Sequence, residues 1–333
     1  MGRTVRVDLG ALERTAVGLF GANGDGTGPH GRSLALVVQQ GGDVVFERYG
    51  TMPDTAFGPG GPVGADTALI SWSMAKSITH ALVGLLVGDG LLDPSAPAPV
   101  AAWRGTPKEH ITLQHLLTMT PGLEFVEDYV DAGVSNCIEM LFGAGRDDMA
   151  AYAAALPLVH APGTVWNYSS GTTNIVAAIV GDVVGGGSEG MEQFMRERLF
   201  GPLGITSAVA KFDAVGTFVG SSFVDATARD FARFGALYLR DGVGPDGTRI
   251  LPAGWVDHAR ALTTIDEESG FGYGAHWWTW PDLAGSLAAH GYDGQCTLVV
   301  PALDLVVVHL GKVAAADRPL LNAALREIVA AVG

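Results

Sequence analysis

The sequence predicts an α/β protein of the α+β type, with an antiparallel sheet built from both termini and flanked by helices. Runs rich in β-branched and aromatic residues occur near the start and again near the end of the chain, while the long middle carries helical spacing interrupted by Pro and Gly. This pattern indicates that residues 1–90 and 256–333 form one α/β domain. Residues 91–255 then form an inserted, mainly helical lobe, and a site is expected in the cleft between the two.

The first ninety residues supply a helix, a hairpin and the start of a second helix. Residues 5–20 have the spacing of a short amphipathic helix. The Gly-rich stretch 21–31 is interpreted as a flexible connector, because it lacks the Lys-Ser/Thr ending of a phosphate-binding loop. The β-rich runs 33–40 and 44–50 are joined by a short Gly-Gly-Asp segment, which is typical of a hairpin turn.

A long, mostly apolar helix is predicted over 70–90 and carries the most unusual residue pattern of the chain. Thr227 followed by Asp230 is a variant of the capping box and predicts the start of another helix. Further helices are predicted at 112–119, 148–156, 172–184, 227–242 and 318–333. Strands are predicted at 273–280, 295–300 and 304–311.

Composition limits the class of protein. The 333 residues carry 35 acidic against 20 basic side chains, and this net charge of −15 argues against nucleic acid as a partner. A hydrophobic fraction of 48% with 17% charged residues excludes a disordered chain. The longest apolar stretches are interrupted by Asp89 or Asp182, well short of a membrane span, and the polar first residues do not resemble a signal peptide. We therefore expect a cytoplasmic protein with no membrane contact. Whether the chain forms a homodimer is left undecided by the sequence.

The strongest catalytic signal is Ser73 followed three residues later by Lys76. Residues three apart on a helix share a face, so the hydroxyl and the amine can touch. A lysine amine activates a serine when it is neutral, the form that apolar surroundings favour. The chain has four lysines against sixteen arginines, and only Lys76 has a Ser three residues before it. Taken alone, the pair is equally well interpreted as a helix N-cap serine and a solvated lysine.

Two further stretches of the sequence contain residues suited to catalysis. Tyr168 lies in a predicted turn before an apolar helix, where its hydroxyl can pass a proton to a leaving group, although an isolated tyrosine is more often a buried aromatic. The stretch 289–295 contains two glycines directly before a strand, which allows backbone N–H groups to approach an oxyanion. Alone, that stretch is typical of an ordinary hairpin turn.

In this order and at these separations, the three elements resemble the serine β-lactamase and penicillin-binding-protein superfamily, which carries Ser-x-x-Lys, then Tyr-x-Asn, then Lys-Thr-Gly. The resemblance is to the class C type and runs from about residue 33 to about residue 311. It implies that Ser73 is the nucleophile, Lys76 the base for acylation and Tyr168 the proton shuttle to the leaving group. It further implies that the backbone N–H groups of Ser73 and Tyr292 hold the oxyanion, without a metal or organic cofactor.

The departures from that pattern bear on the substrate. Ser170 stands where the family has Asn, and Ala289-His290-Gly291 stands where it has Lys-Thr-Gly. The missing lysine helps the family to bind the carboxylate of β-lactams and D-Ala-D-Ala peptides, so its loss counts against both substrates. Within the superfamily, the chain is most similar to the 6-aminohexanoate-dimer (nylon oligomer) hydrolases and related carboxylesterases. The residues that carry this likeness are 127–131, 226–235, 276–278 and the Gly-x-x-Gly-Gln of 291–295.

This likeness implies a set of substrate-binding residues, namely Tyr129, Ser170, His290, Gly291 and Trp278. In those enzymes the tyrosine matching Tyr129 lines the site and can bond an amide nitrogen of the leaving group. Three more aromatic residues, Trp166, Trp277 and Trp280, are candidates to wall the cleft, although a tryptophan is more often simply part of the core. The two cysteines, Cys137 and Cys296, are expected to be buried and inert.

The leading hypothesis is a serine hydrolase that cleaves small carboxylic esters, and short amides as a second class, through an acyl-serine intermediate. The same apparatus also suits acyl transfer, in which an alcohol or amine replaces water. A β-lactamase or D,D-peptidase is a further alternative within the family. A non-catalytic binding protein with the same fold belongs to a different class, and the presence of Ser73, Lys76 and Tyr168 speaks against it.

Overall fold

In the computed structural model, which describes residues 7–55 and 58–333, the large sheet is antiparallel and takes strands from both ends of the chain. The strands of the protein are β1 (Thr27–Gly28), β2 (Gly31–Gln40), β3 (Asp43–Tyr49), β4 (Thr51–Met52), β5 (Gly61–Pro62), β6 (Leu69–Ile70), β7 (Val209–Ala210), β8 (Val224–Ala226), β9 (Thr264–Ile265), β10 (Gly272–Tyr273), β11 (Trp278–Thr279), β12 (Leu287–His290), β13 (Cys296–Val300) and β14 (Leu305–Lys312). The order across the large sheet is β1-β2-β14-β13-β12-β11-β10-β9, and β3 pairs with β2. Because the N-terminal strand β2 pairs directly with the C-terminal strand β14, the predicted sheet from both termini is confirmed.

Helices cover both faces of this sheet and fill the middle of the chain. They are α1 (Leu9–Phe20), α2 (Ala75–Gly88), α3 (Leu113–Leu117), α4 (Asn136–Phe142), α5 (Met149–Ala155), α6 (Ser170–Val184), α7 (Gly187–Met195), α8 (Ala228–Leu239), α9 (Trp255–Arg260) and α10 (Arg318–Val332). The first predicted helix, 5–20, begins in the structure at Leu9, with the Asp8 side chain accepting from the Ala11 N–H; residues 5 and 6 lie outside the described residues. The helices predicted near 112, 148, 172, 227 and 318 are all present.

The segment that leads into the Ser73 region differs from the prediction. The predicted helix over 70–90 starts only at Ala75, because Ile70 ends strand β6 and pairs with Asp225 of β8. Strands β6, β8 and β7 form a small three-stranded sheet that the sequence analysis missed inside the helical middle. Two- and three-residue strands have too little sequence to show an alternating pattern.

Two other local predictions need correction. The predicted strand 273–280 is broken into β10 and β11 by a turn in which His276 has a positive φ of 54°. At the start of α8, the Thr227 hydroxyl accepts from the Asp230 N–H as expected. The Asp230 carboxylate, however, accepts from the N–H groups of Thr206 and Ser207 and does not complete a capping box.

Apolar side chains form two cores, one on each face of the large sheet. One core joins the sheet to α2, α6 and α8, and the other joins it to α1 and α10. Trp277 belongs to the first core and Trp280 to the second, each at most 1% exposed. The expectation that these two tryptophans wall a cleft is therefore wrong; their rings are core packing.

The two cysteines are buried and unpaired, as predicted. Burial raises the pKa of the Cys296 thiol to about 12, so this side chain is a neutral thiol at neutral pH. Within residues 7–55 and 58–333, no helix combines the length and the apolar character needed to cross a bilayer.

Candidate active site

Ser73 lies on a strained turn between strand β6 and helix α2. The turn is a single 3-10 turn over Trp72–Met74, and Trp72 has a positive φ of 44°, a conformation that is costly for a bulky side chain. Ser71 anchors the turn to strand β8, because its N–H donates to the Val224 carbonyl at 2.8 Å and its hydroxyl accepts from the Val224 N–H at 3.1 Å. The Ser73 hydroxyl is consequently half-buried at the rim of the fold rather than inside it.

Lys76 lies at the start of α2 with its side chain buried, 2% exposed. Its Nζ donates to the Ser73 hydroxyl at 2.9 Å, to the Ser170 hydroxyl at 2.9 Å and to the Ser221 carbonyl at 3.0 Å. The predicted contact between Ser73 and Lys76 is therefore present. Three oxygen atoms thus surround the Lys76 Nζ atom. The apolar residues that the sequence analysis expected around the pair surround helix α2, which carries Lys76.

Glu127 is a site residue that the sequence analysis did not assign. Its Oε1 accepts from the Ser170 hydroxyl at 2.6 Å and from the Tyr129 hydroxyl at 2.7 Å, and its Oε2 accepts from the Ser170 N–H at 2.7 Å. Ser170 therefore joins Lys76 Nζ to the carboxyl group of Glu127. Glu127 stands in the 127–131 stretch that carried the family likeness, but only the fold brings it to Ser170, 43 residues further along the chain.

Tyr168 stands beside this chain of hydrogen bonds. Lys76 Nζ lies over the Tyr168 ring, 4.9 Å from its centroid, which is the geometry of a cation–π contact. The ring packs at 5.4 Å from Trp278 and at 5.8 Å from Tyr273, and Trp166 completes this aromatic cluster at 6.4 Å. The Tyr273 hydroxyl and the Trp166 indole N–H are buried and have no hydrogen-bond partner within the described part of the chain.

The loop after strand β12 approaches the Ser73 turn closely. A Cβ on Gly291 would lie 2.5 Å from the Ser71 carbonyl oxygen, so only glycine allows the loop to come this near. Gln295 fixes the loop from below, since its amide donates to the Ile70 carbonyl at 3.2 Å and its oxygen accepts from the Gly311 N–H at 2.7 Å. The backbone N–H groups of Ser73 and Tyr292 make no hydrogen bond to any residue in 7–55 or 58–333.

Tyr129 forms the outer wall of the same area. Its side chain is 40% exposed, and its ring lies 5.2 Å from the Tyr292 ring, which in turn lies 5.8 Å from Trp72. The structure thus places Tyr129, Ser170, Trp278 and the Gly291 loop around the Ser73–Lys76 pair. Substrate binding by these residues stays a prediction.

His290 is set further back than predicted. Its ring stacks on Phe271 and Trp280, and its Nε2 accepts from the Trp280 indole N–H at 3.0 Å. Burial lowers the pKa of His290 to about 3, so the ring is neutral at neutral pH. Its nearest link to the aromatic cluster is Trp278, with ring centroids 6.2 Å apart. In the described part of the chain, no three His, Cys, Asp or Glu side chains are grouped as metal ligands.

Comparison with known proteins agrees with this geometry. The profile of the family described as Beta-lactamase matches residues 26–330. The 6-aminohexanoate-dimer hydrolase of Paenarthrobacter ureafaciens is 28% identical over 294 residues, which cover 83% of this chain and 71% of that protein. Penicillin-binding protein 4 of Amycolatopsis lactamdurans is 27% identical over 278 residues, 71% of this chain and 68% of that one.

A solved structure shares the fold. A Bacillus anthracis protein provisionally named 6-aminohexanoate-dimer hydrolase has a TM-score of 0.74 at 24% identity, and the match covers 89% of this chain and 78% of that one. The family profile spans nearly the whole chain, and Ser73 and Lys76 are in contact in the structure. The chain therefore belongs to the beta-lactamase family and is a serine hydrolase.

Proposed function

We propose that this hydrolase cleaves small carboxylic esters, and short amides as a second class, through an acyl intermediate on Ser73. The observation that carries the proposal is the contact of 2.9 Å between Lys76 Nζ and the hydroxyl of a half-buried serine, with the Tyr168 ring beside it. A nucleophile, a base within hydrogen-bond reach and a third group next to the base are the parts that covalent acyl transfer needs.

In the proposed acylation, neutral Lys76 takes the proton of Ser73 as its oxygen attacks the carbonyl carbon. The tetrahedral intermediate collapses when the leaving group receives a proton from the Tyr168 hydroxyl, which regains it from Lys76. Water then attacks the acyl-serine and gives a proton to Tyr168, whose own hydroxyl proton moves to neutral Lys76. The ester bond to Ser73 breaks as Ser73 Oγ takes this proton from Lys76. Each step moves one proton between neighbouring groups and consumes only water and substrate.

The developing negative charge on the carbonyl oxygen needs donors that are already in place. We assign this role to the backbone N–H groups of Ser73 and Tyr292. The close packing of Gly291 on Ser71 supports the assignment, because it brings the Tyr292 segment next to the nucleophile turn.

The groups around the cleft favour a neutral substrate. The position of the family lysine is taken by Ala289, which is 2% exposed, so the cationic group that binds a β-lactam carboxylate is missing there. The name of the Paenarthrobacter relative supports short amides as the second class.

A direct test is hydrolysis of p-nitrophenyl acetate and butyrate, compared with a short amide, with nitrocefin and with transfer to an added alcohol. We expect the two esters to be turned over fastest and water to be the main acceptor. Faster turnover of nitrocefin than of either ester would overturn the proposal in favour of a β-lactamase. Absence of turnover together with no labelling by a fluorophosphonate would favour the non-catalytic binding protein.

A further inference from the structure

The proposed acylation needs Lys76 as a neutral amine, whereas three oxygen atoms that can accept a hydrogen bond surround its Nζ in this arrangement. Its Nζ donates three hydrogen bonds, to Ser73, Ser170 and the Ser221 carbonyl. Three donated bonds use all three ammonium protons. Before Lys76 can accept the Ser73 proton, one of these three protons must leave along one of these bonds.

Only one of the three acceptors can pass a proton onward. The Ser221 carbonyl belongs to an amide, which is a very weak base, and Ser73 is the group that must itself lose a proton. The Ser170 hydroxyl accepts from Lys76 at 2.9 Å and at the same time donates to Glu127 Oε1 at 2.6 Å. A hydroxyl that accepts on one side and donates on the other is the arrangement in which a proton can be relayed.

We propose that Glu127 is the proton acceptor that frees Lys76 for catalysis, with the Ser170 hydroxyl as the connecting group; this deepens the function proposed above and depends on it. One N–H bond of Lys76 breaks as its proton moves to Ser170 Oγ, and the former Ser170 proton bonds to Glu127 Oε1. The products are a neutral amine, an unchanged hydroxyl and a neutral carboxylic acid. Tyr129 donates to the same oxygen, which is a weaker hydrogen-bond acceptor once it is protonated.

Lys76 and Glu127 are the lysine and the carboxyl group that Ser170 connects, and the other titratable groups facing them in the described part of the chain are cysteine, histidine and tyrosine side chains. Burial raises the pKa of the Cys137 thiol and that of the Tyr273 hydroxyl, and burial lowers the pKa of His276 to about 3. The remaining titratable groups are the hydroxyls of Tyr129 and Tyr168. The transfer therefore converts one ion pair into two neutral groups without changing the net charge.

The relay and a purely electrostatic role of Glu127 predict effects of opposite sign. If the carboxylate only stabilises the ammonium, Glu127→Gln makes Lys76 easier to deprotonate and raises the rate at low pH. If the carboxylate accepts the proton, the variant must lose the Lys76 proton to solvent. The rate then falls about 10- to 100-fold at pH 7 and rises about tenfold per pH unit toward the wild-type value.

The test is the rate of Ser73 labelling by a fluorophosphonate between pH 6 and pH 9, for the wild type, Glu127→Gln and the matched control Glu124→Gln, whose side chain is exposed on the same segment. We expect a nearly flat profile for the wild type and the control, and a slope near one for Glu127→Gln. A Glu127→Gln rate equal to or above the wild-type rate at pH 6 would overturn the relay.

A second pair of variants distinguishes the loss of the Ser170 hydroxyl from a change in the shape of the site around it. Ser170→Ala removes the connecting group and is expected to reproduce the steep profile, whereas Ser170→Thr keeps a hydroxyl and is expected to stay nearly flat. Equal and flat profiles for both would contradict the relay. Labelling without ester turnover in the wild type would refute the proposed substrate class and leave the relay test intact, since labelling reports acylation alone.

Discussion

Gly291 packs directly on the backbone carbonyl of Ser71, two residues before the proposed nucleophile, where a Cβ would lie only 2.5 Å from the carbonyl oxygen. We expect Gly291→Ala to push the Tyr292 segment away from Ser73 and to weaken the oxyanion site. Loss of one such donor lowers kcat about 10²- to 10³-fold. Steady-state kinetics with p-nitrophenyl acetate, together with the melting temperature, measure the effect, and an unchanged kcat would contradict the proposed role of Tyr292.

Gly181→Ala is the matched glycine control and a prediction of its own. Gly181 lies inside α6, and a Cβ there meets nothing within 4 Å. Alanine restricts the unfolded chain and suits a helix, so the free energy of unfolding is expected to rise by about 0.5–1 kcal/mol. Chemical denaturation measures it, and kcat should equal that of the wild type. A loss of stability would show that α6 does not have the space found here.

Tyr168→Phe tests the proton shuttle. The variant keeps the ring that contacts Lys76 and Trp278 and removes only the hydroxyl. We expect kcat to fall about 10²- to 10⁴-fold, as for loss of a general acid or base, with little change in the melting temperature. Tyr152→Phe, which removes a hydroxyl that accepts from Asn136, is the control and should leave kcat unchanged. Similar activity of the two variants would exclude Tyr168 as the shuttle.

Buried neutral histidines predict loss of stability in acid. Burial lowers the pKa of His276 to about 3 and that of His309 to about 4, and it holds the pKa of His80 well below its usual range. The unfolded chain binds these protons below about pH 6.5, whereas the folded chain does not. The contribution of these three histidines to the free energy of unfolding is therefore constant above pH 6.5. It falls as the pH drops from 6.5 toward 4, by up to about 1.4 kcal/mol per pH unit for each histidine.

Urea unfolding between pH 7.5 and 4.5 measures this dependence. In His309→Asn, the slope of the free energy of unfolding against pH is expected to fall by the contribution of one proton, whatever the effect on absolute stability. His110 is exposed, and His110→Asn should leave this slope unchanged. An unchanged slope in His309→Asn would mean that this ring is already charged in the folded protein.

The sequence predicts the Ser73–Lys76 contact better than it predicts the residues around that contact. The Ser73–Lys76 contact follows from helical spacing, and the tight loop at Gly291 follows from the need for close backbone approach. Glu127 was not assigned, because its partner Ser170 is brought to it by tertiary packing and no local pattern marks the pair. Trp277 was misplaced for a similar reason: neighbouring tryptophans face opposite ways in this turn-broken stretch, so Trp277 is core while Trp278 reaches Tyr168.

The most direct test of the account is hydrolysis of p-nitrophenyl acetate by the wild type beside Ser73→Ala, combined with mass analysis of the fluorophosphonate-labelled peptide. The account predicts that Ser73→Ala lowers kcat by several orders of magnitude and that the label is attached to Ser73. Equal rates for the two proteins, or a label on another residue, would contradict the assignment of Ser73 as the nucleophile.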